Sequence, residues 1–172
     1  MFEKLSKTDL KVLRHISKKP YEKFYLRQIA KELKISTSST KKAIDSLINL
    51  NLLKSETMGN LRIVYGNMEE ILFKNYKILE NISFLKDLID QLKPAISITL
   101  YGSYAKGEND SQSDIDIVLI TNNKNKTPTV YKDEELQIKK FTPKEWKDMK
   151  KTNKAYVNDV SKGITLYGEK II

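Results

Sequence analysis

Apolar residues recur every three or four positions through most of the first 50 residues. Leu10, Leu13 and Ile16 mark one stripe, with Ser6 and Asp9 spaced as a capping box ahead of it and Pro20 closing it. Leu26, Ile29, Ala30 and Leu33 follow the spacing of a second amphipathic helix. After Lys34-Ile35-Ser36 a third stripe runs through Ala43, Ile44, Leu47 and Leu50, and Ser36 or Thr37 can cap it. The opposite face of that helix presents Ser38, Ser39, Lys41, Lys42, Ser46 and Asn49. The period then changes: residues 53–56 and 61–65 read as two short strands, with residues 57–60 as the hairpin turn between them.

Helical spacing returns at Ile71, Leu72, Tyr76, Leu79, Ile82, Leu85, Ile89 and Leu92. It predicts one long helix or two consecutive ones over 69–92, ending ahead of Pro94. Residues 96–101 read as a buried strand, 114–120 as a second and 136–141 as a third. Residues 122–127 form a polar loop. Thr142-Pro143-Lys144-Glu145 has the form of a helix start. Trp146, Met149, Tyr156, Val157 and Val160 continue from it as core positions, Gly163 ends the helical stretch, and 164–168 reads as a final strand.

Length and charge divide this pattern in two. At 172 residues the chain is one domain or two small ones. Residues 1–67 carry 14 Lys and Arg against 6 Asp and Glu, a net +8, whereas residues 68–172 carry 17 against 16. A basic segment beside a near-neutral one implies two modules with different partners, a polyanion being the natural one for the first. The expected division is 1–67, a helical connector 68–93, and 94–172. The absence of Cys excludes disulfides, thiolate metal sites and Cys nucleophiles. A single histidine, His15, excludes a His-rich zinc site and reads as a packing or surface residue. No apolar run approaches the roughly 20 residues of a membrane span and no secretory leader pattern is present, so a cytoplasmic protein without a membrane partner is expected.

Helix, helix, tight turn, helix and hairpin in that order, carried by LRQIAKELKISTSSTKKAIDSLINLNLLKSETMGNLRIVYGN, resemble the winged helix-turn-helix family. The resemblance implies a third helix that enters the DNA major groove and a wing that touches the backbone or minor groove. The positions it points to are Ser38, Ser39, Lys41 and Lys42 on the helix, with Lys54, Asn60 and Arg62 on the wing. Hydroxyls there can reach phosphates or base edges, and the lysines neutralise phosphates. A dimerisation or protein-contact module has the same three-helix pattern, and a homodimer stays open.

The chemistry concentrates in TLYGSYAKGENDSQSDIDIVLI, residues 99–120. A strand runs directly into Gly102-Ser103, and ten residues later comes Asp114-Ile115-Asp116 on another strand. Residues two apart on a strand share a face about 7 Å apart, so Asp114 and Asp116 point the same way. Two such carboxylates repel unless a cation lies between them, and oxygen-only ligation is what Mg²⁺ prefers. The pair could bridge one hard cation or two. Gly102 lets a ligand approach the backbone closely, and Ser103 offers a hydroxyl and an N–H at a helix start that favours phosphate. Lys106 can contact a phosphate. A phosphate site beside a metal site suits a nucleoside triphosphate.

Gly-Ser, a spacer of about ten residues and Asp-x-Asp on a strand resemble the polymerase-β-like nucleotidyltransferases, specifically their small minimal members. Gly102, Ser103, Asp114 and Asp116 match that pattern, as do Gly107 and Ser113. The fold expected for the whole chain is therefore α+β, a winged helix-turn-helix followed by a small mixed-sheet nucleotidyltransferase fold. The resemblance implies Mg²⁺-dependent transfer of a nucleoside monophosphate from a triphosphate, ATP first among candidates, to a hydroxyl acceptor. Some members are antitoxins that adenylylate a partner toxin, so a protein acceptor or toxin partner is among the implied partners.

One departure stands out. The family places a third carboxylate on the next strand, and here that strand presents Gln137 and Lys139. Glu135 lies close by and could substitute if a bulge re-aims it. Catalytic candidates are thus Asp114, Asp116 and Glu135. The alternative to an enzyme is a catalytically weak or inactive regulator, or an antitoxin-like protein, whose transferase fold senses nucleotide or binds a partner.

Overall fold

The computed structural model describes residues 5–59 and 61–170. The chain divides into two compact units, Met1–Lys77 and Ile78–Ile172.

The first unit packs three helices against a small sheet. Helix α1 (Lys7–Lys18) starts at the predicted capping box, with Ser6 and Asp9 each accepting the other's backbone N–H. Strand β1 (Phe24–Tyr25) leads into α2 (Leu26–Leu33), and α3 (Thr37–Asn49) follows, capped by the Ser36 hydroxyl. Strands β2 (Leu53–Met58) and β3 (Leu61–Gly66) form the hairpin. The antiparallel sheet has the order β1-β3-β2. The turn is tighter than the spacing predicts: β2 continues through Thr57 to Met58, which pairs with Leu61, and Gly59 between them sits at φ +60°. Val12, Leu13, Ile16, Ile29, Ile44, Leu47 and Val64 make the core, joined by Phe73 and Tyr76 of α4 (Ile71–Phe84). Lys77, 2% exposed, anchors the same helix by donating to the Ser17 carbonyl at 2.6 Å. His15 packs against the Phe24 ring and lies 2.8 Å from a Glu32 oxygen.

The second unit is a five-stranded mixed sheet with helices on both faces. The residues from 78 on in α4 are followed by α5 (Lys86–Gln91), then β4 (Ser97–Tyr101), α6 (Gly102–Lys106), β5 (Ile115–Ile120), β6 (Val130–Tyr131), β7 (Glu134–Phe141), α7 (Pro143–Thr152), α8 (Lys154–Ser161) and β8 (Ile164–Gly168). The strand order is β6-β7-β5-β4-β8, and of the described pairs only β5 and β7 run parallel. Alternation along the strands gives each face its own core. Ile98, Leu100, Ile115, Ile117, Leu119 and Leu136 pack with Leu85 and Leu88 on one side. Tyr101, Val118 and Ile120 pack with Trp146 of α7 and Val160 of α8 on the other. Thr142 and Glu145 cap α7 reciprocally, and Asn153 ends it while capping α8. The α+β class holds: helices combine with an antiparallel sheet in one unit and a mixed sheet in the other. Among the described residues, no helix is long and apolar enough to cross a membrane.

Candidate functional site

Strands β4 and β5 bring the two halves of the predicted motif together. Tyr101, the last residue of β4, is paired with Asp116 on antiparallel β5. The chain then turns at Gly102, whose φ of +70° is a conformation glycine adopts without strain. A Cβ at Gly102 would lie 2.3 Å from Asp116 Oδ2. The carboxylate therefore rests directly on the bare glycine Cα. This contact demands glycine twice over, for the backbone angle and for the space.

Helix α6 is a single turn of five residues, too short for the helix dipole invoked from sequence to carry weight. What it does present is the unpaired N–H groups of its first turn beside Ser103. The Ser103 hydroxyl makes no hydrogen bond among the described residues. Lys106 is exposed, with its ammonium 3.9 Å from Asp159 of α8.

Asp114 stands one residue ahead of β5, not on it as the spacing predicts, and is exposed; Asp116 is half-buried. Burial raises the Asp116 pKa above the usual carboxylate value, the Asp114 charge raises it further, and Lys139 opposes the shift. A divalent ion held between the two acids would relieve that repulsion. Hard oxygen donors of this kind, with substrate phosphates filling the remaining positions, fit the coordination of Mg²⁺. The residues suit one such ion. Among the described residues no group of three or more His, Cys, Asp or Glu is placed to hold a metal by itself.

Gln137 of β7 lies in register with Asp116 across the parallel pair. Glu135 is two residues earlier on the same strand and needs no bulge to reach that face, since β5 and β7 pair without a register shift. Gln137 Nε2 donates to Glu135 Oε1 at 2.9 Å. Lys139, two residues later, holds its ammonium 4.7 Å from the Tyr156 ring centroid. Tyr156 and Tyr101 bring their hydroxyls to 3.4 Å beside Asp116, and burial keeps Tyr156 protonated far above its ordinary value.

Sequence spacing did not single out Asp159, and gave Tyr156 only as a core position. Both lie on α8, at least 40 residues after Asp116, and only the fold of α8 onto the sheet puts them near Asp116. A cleft of about 440 Å³ lies elsewhere, lined by Leu119, Thr121 and Lys140 among others. It opens at the far end of β5 from Asp116.

In the first unit, Lys41 and Lys42 are exposed on α3 and have no partner among the described residues. Ser38 and Ser39 surround the Ser36 hydroxyl at 3.1 and 2.8 Å, so they belong in part to the helix cap. On the β2–β3 hairpin, Lys54 pairs with Glu69 at 2.5 Å and Arg62 with Asp45 of α3 at 2.5 Å. Both of these cations are already balanced by acids. Asn60 lies outside the described residues.

Residues 82–159 match the family model of the nucleotidyltransferase domain, a stretch that spans the Gly-Ser bend, both aspartates and most of α8. No curated protein matches the chain. Among solved structures the chain is similar to one described as a single-residue mutant of Lactococcus lactis ZitR in complex with DNA, at 18% identity and a TM-score of 0.36. That similarity covers 53% of this chain and 64% of the other, so less than two thirds of that protein's length is spanned.

Proposed function

We propose that the second unit is a Mg²⁺-dependent nucleotidyltransferase that moves a nucleoside monophosphate from a triphosphate, ATP first, to a hydroxyl acceptor, and that the first unit binds DNA through α3 and the wing. The observation that carries the enzymatic reading is the seat of Asp116 Oδ2 on Gly102, which joins the phosphate bend to the carboxylate strand. The match of residues 82–159 to the nucleotidyltransferase family supports it. The charge of the first unit and the free Lys41 and Lys42 support the DNA reading.

In this reading the N–H groups of α6, the Ser103 hydroxyl and the Lys106 ammonium hold the β- and γ-phosphates. Asp114 and Asp116 would hold the Mg²⁺, which when bound neutralises phosphate charge and polarises the α-phosphorus. The acceptor oxygen attacks that phosphorus, its new O–P bond forming as the α–β bridging bond breaks. Pyrophosphate leaves with the bonding pair, and Glu135, the carboxylate on the β7 face beside Gln137, takes the acceptor's proton. The roles follow from charge: Gln137 cannot accept a proton at neutral pH and Glu135 can.

One observation favours a second reading. Gln137 fills the register position where a third charged ligand would stand, so the unit could bind nucleotide with weak turnover and serve as a sensor attached to a DNA-binding regulator or as an antitoxin-like partner-binding module. The deciding experiment pairs calorimetry of ATP with Mg²⁺ against transfer of a labelled nucleotide to acceptors. Binding with transfer, both lost in Asp114→Ala plus Asp116→Ala without loss of the fold, supports the enzyme. Binding without transfer supports the sensor. A double variant that labels acceptors as well as the parent removes the site assignment.

A further inference from the structure

Helix α4 takes no part in the site as described, yet it carries a buried polar side chain, Asn81, 8% exposed. Asn81 Nδ2 donates to the Tyr104 carbonyl at 2.9 Å and to Asn109 Oδ1 at 2.8 Å. The carbonyl of Tyr104 can only accept, so the orientation of the Asn81 amide is fixed by its partner. Asn109, 7% exposed, donates back from its Nδ2 to Asn81 Oδ1 at 3.4 Å. Buried amides in an otherwise apolar layer are costly unless fully paired, and this pair is paired at both ends.

The two acceptors belong to the two segments that carry the candidate site. Tyr104 belongs to α6, whose first residues are Gly102 and Ser103. A helix of five residues has little stability of its own, so its placement depends on outside contacts. Asn109 opens the loop that leads to Asp114. That loop closes on itself through Asp110 and Ser113: the Ser113 hydroxyl donates to Asp110 Oδ1 and accepts the Asp110 N–H, each at 3.0 Å. One amide of α4 thus fixes both the phosphate bend and the start of the carboxylate segment, each by a direct bond.

We propose that Asn81 is a positioning residue that locks α6 and the 107–113 loop into one rigid unit, so that the Ser103 phosphate site and the Asp114–Asp116 pair keep their spacing. The inference rests on the proposed nucleotide site but concerns a mechanical property that can be measured without it.

The test compares Asn81→Leu and Asn109→Leu with the parent chain and with Leu88→Ala, a core substitution in α5 that lowers stability and leaves both amides in place. Leaving a buried donor or acceptor unpaired should speed amide hydrogen exchange at residues 107–113 by about tenfold or more in the two Leu variants, while β4 exchanges as in the parent. Affinity for ATP with Mg²⁺ should fall by about tenfold in the Leu variants and stay unchanged in Leu88→Ala. Unchanged exchange at 107–113 overturns the inference, as does an equal loss of affinity in Leu88→Ala. A parent chain that binds no ATP would instead sink the proposed function, and the exchange measurement would still decide the role of Asn81. If Asn81→Leu does not fold, Asn109→Leu reads the same bond from its other end.

Discussion

Asp116 and Gln137 face each other in register across the parallel strands β5 and β7. Paired residues in a sheet project to one side, so an uncharged amide occupies the place beside the Asp116 carboxylate. Gln137→Glu restores a charge there with the same side-chain length. Transfer from labelled ATP should rise by about tenfold or more, and half-saturation by Mg²⁺ should move to lower concentration. The expected rise is measured at saturating ATP. A variant that binds ATP as the parent does, with transfer and Mg²⁺ dependence unmoved, would show that this register position does not serve the metal.

Gly102→Ala tests the contact that joins bend and strand. An added Cβ meets Asp116 Oδ2 at 2.3 Å and sits on a backbone at φ +70°. The backbone alone costs about 1–2 kcal/mol for a residue with a Cβ. The variant should melt several degrees lower and lose ATP binding. In a double-mutant cycle, Asp116→Ala removes the clashing oxygen, so Gly102→Ala should cost less in that background than in the parent. Equal costs in both backgrounds would mean the two residues do not touch.

What can be read from sequence depends on how far apart the partners lie in the chain. The Ser6–Asp9 box, the α3 stripe and the Thr142–Glu145 cap are local patterns, each complete within a few turns of helix. Gln137 in place of an acid is legible because strand alternation and a known motif order agree. Strands β1 and β6 leave no mark in the sequence: two residues carry no period, and each exists only through its partner, β3 or β7. Asn81 and Asp159 carry no local signal, and the helical interval that marks Tyr156 as a core position does not tell what its hydroxyl meets, since these contacts are 20 to 55 residues away. The same holds for the charges. Arg62 reads as a free cation in sequence and is tied to Asp45, 17 positions distant, in the fold.

Tyr104 predicts a pH effect. Burial raises its pKa to about 12 from 10, with Glu134 adding to the shift. An acid whose pKa is raised on folding keeps its proton in the native chain while the unfolded chain has lost it. The unfolded state then binds fewer protons, and stability falls as pH rises from 10 to about 12. Tyr104→Phe cannot ionise, so its melting temperature should fall less over that window than the parent's. Thermal melts of both proteins at the two ends of the window read the difference; identical slopes would mean the hydroxyl is not held protonated by its surroundings.

The basic first unit predicts a graded response to salt. Lys41 and Lys42 have no acidic partner among the described residues, whereas Lys54 and Arg62 are paired with Glu69 and Asp45. A free lysine that meets a phosphate releases a counterion, and each such contact adds about 0.9 to the slope of log affinity against log salt. A cation already balanced by a carboxylate must first break that pair, so its contribution is smaller. DNA affinity of the parent should fall steeply with salt, and Lys41→Ala plus Lys42→Ala should flatten the slope by about 2. Lys54→Ala plus Arg62→Ala should flatten it less. If the wing pair proves the larger of the two, the acids release their cations on binding and the wing carries the contact. If neither pair changes the slope, DNA does not meet this face.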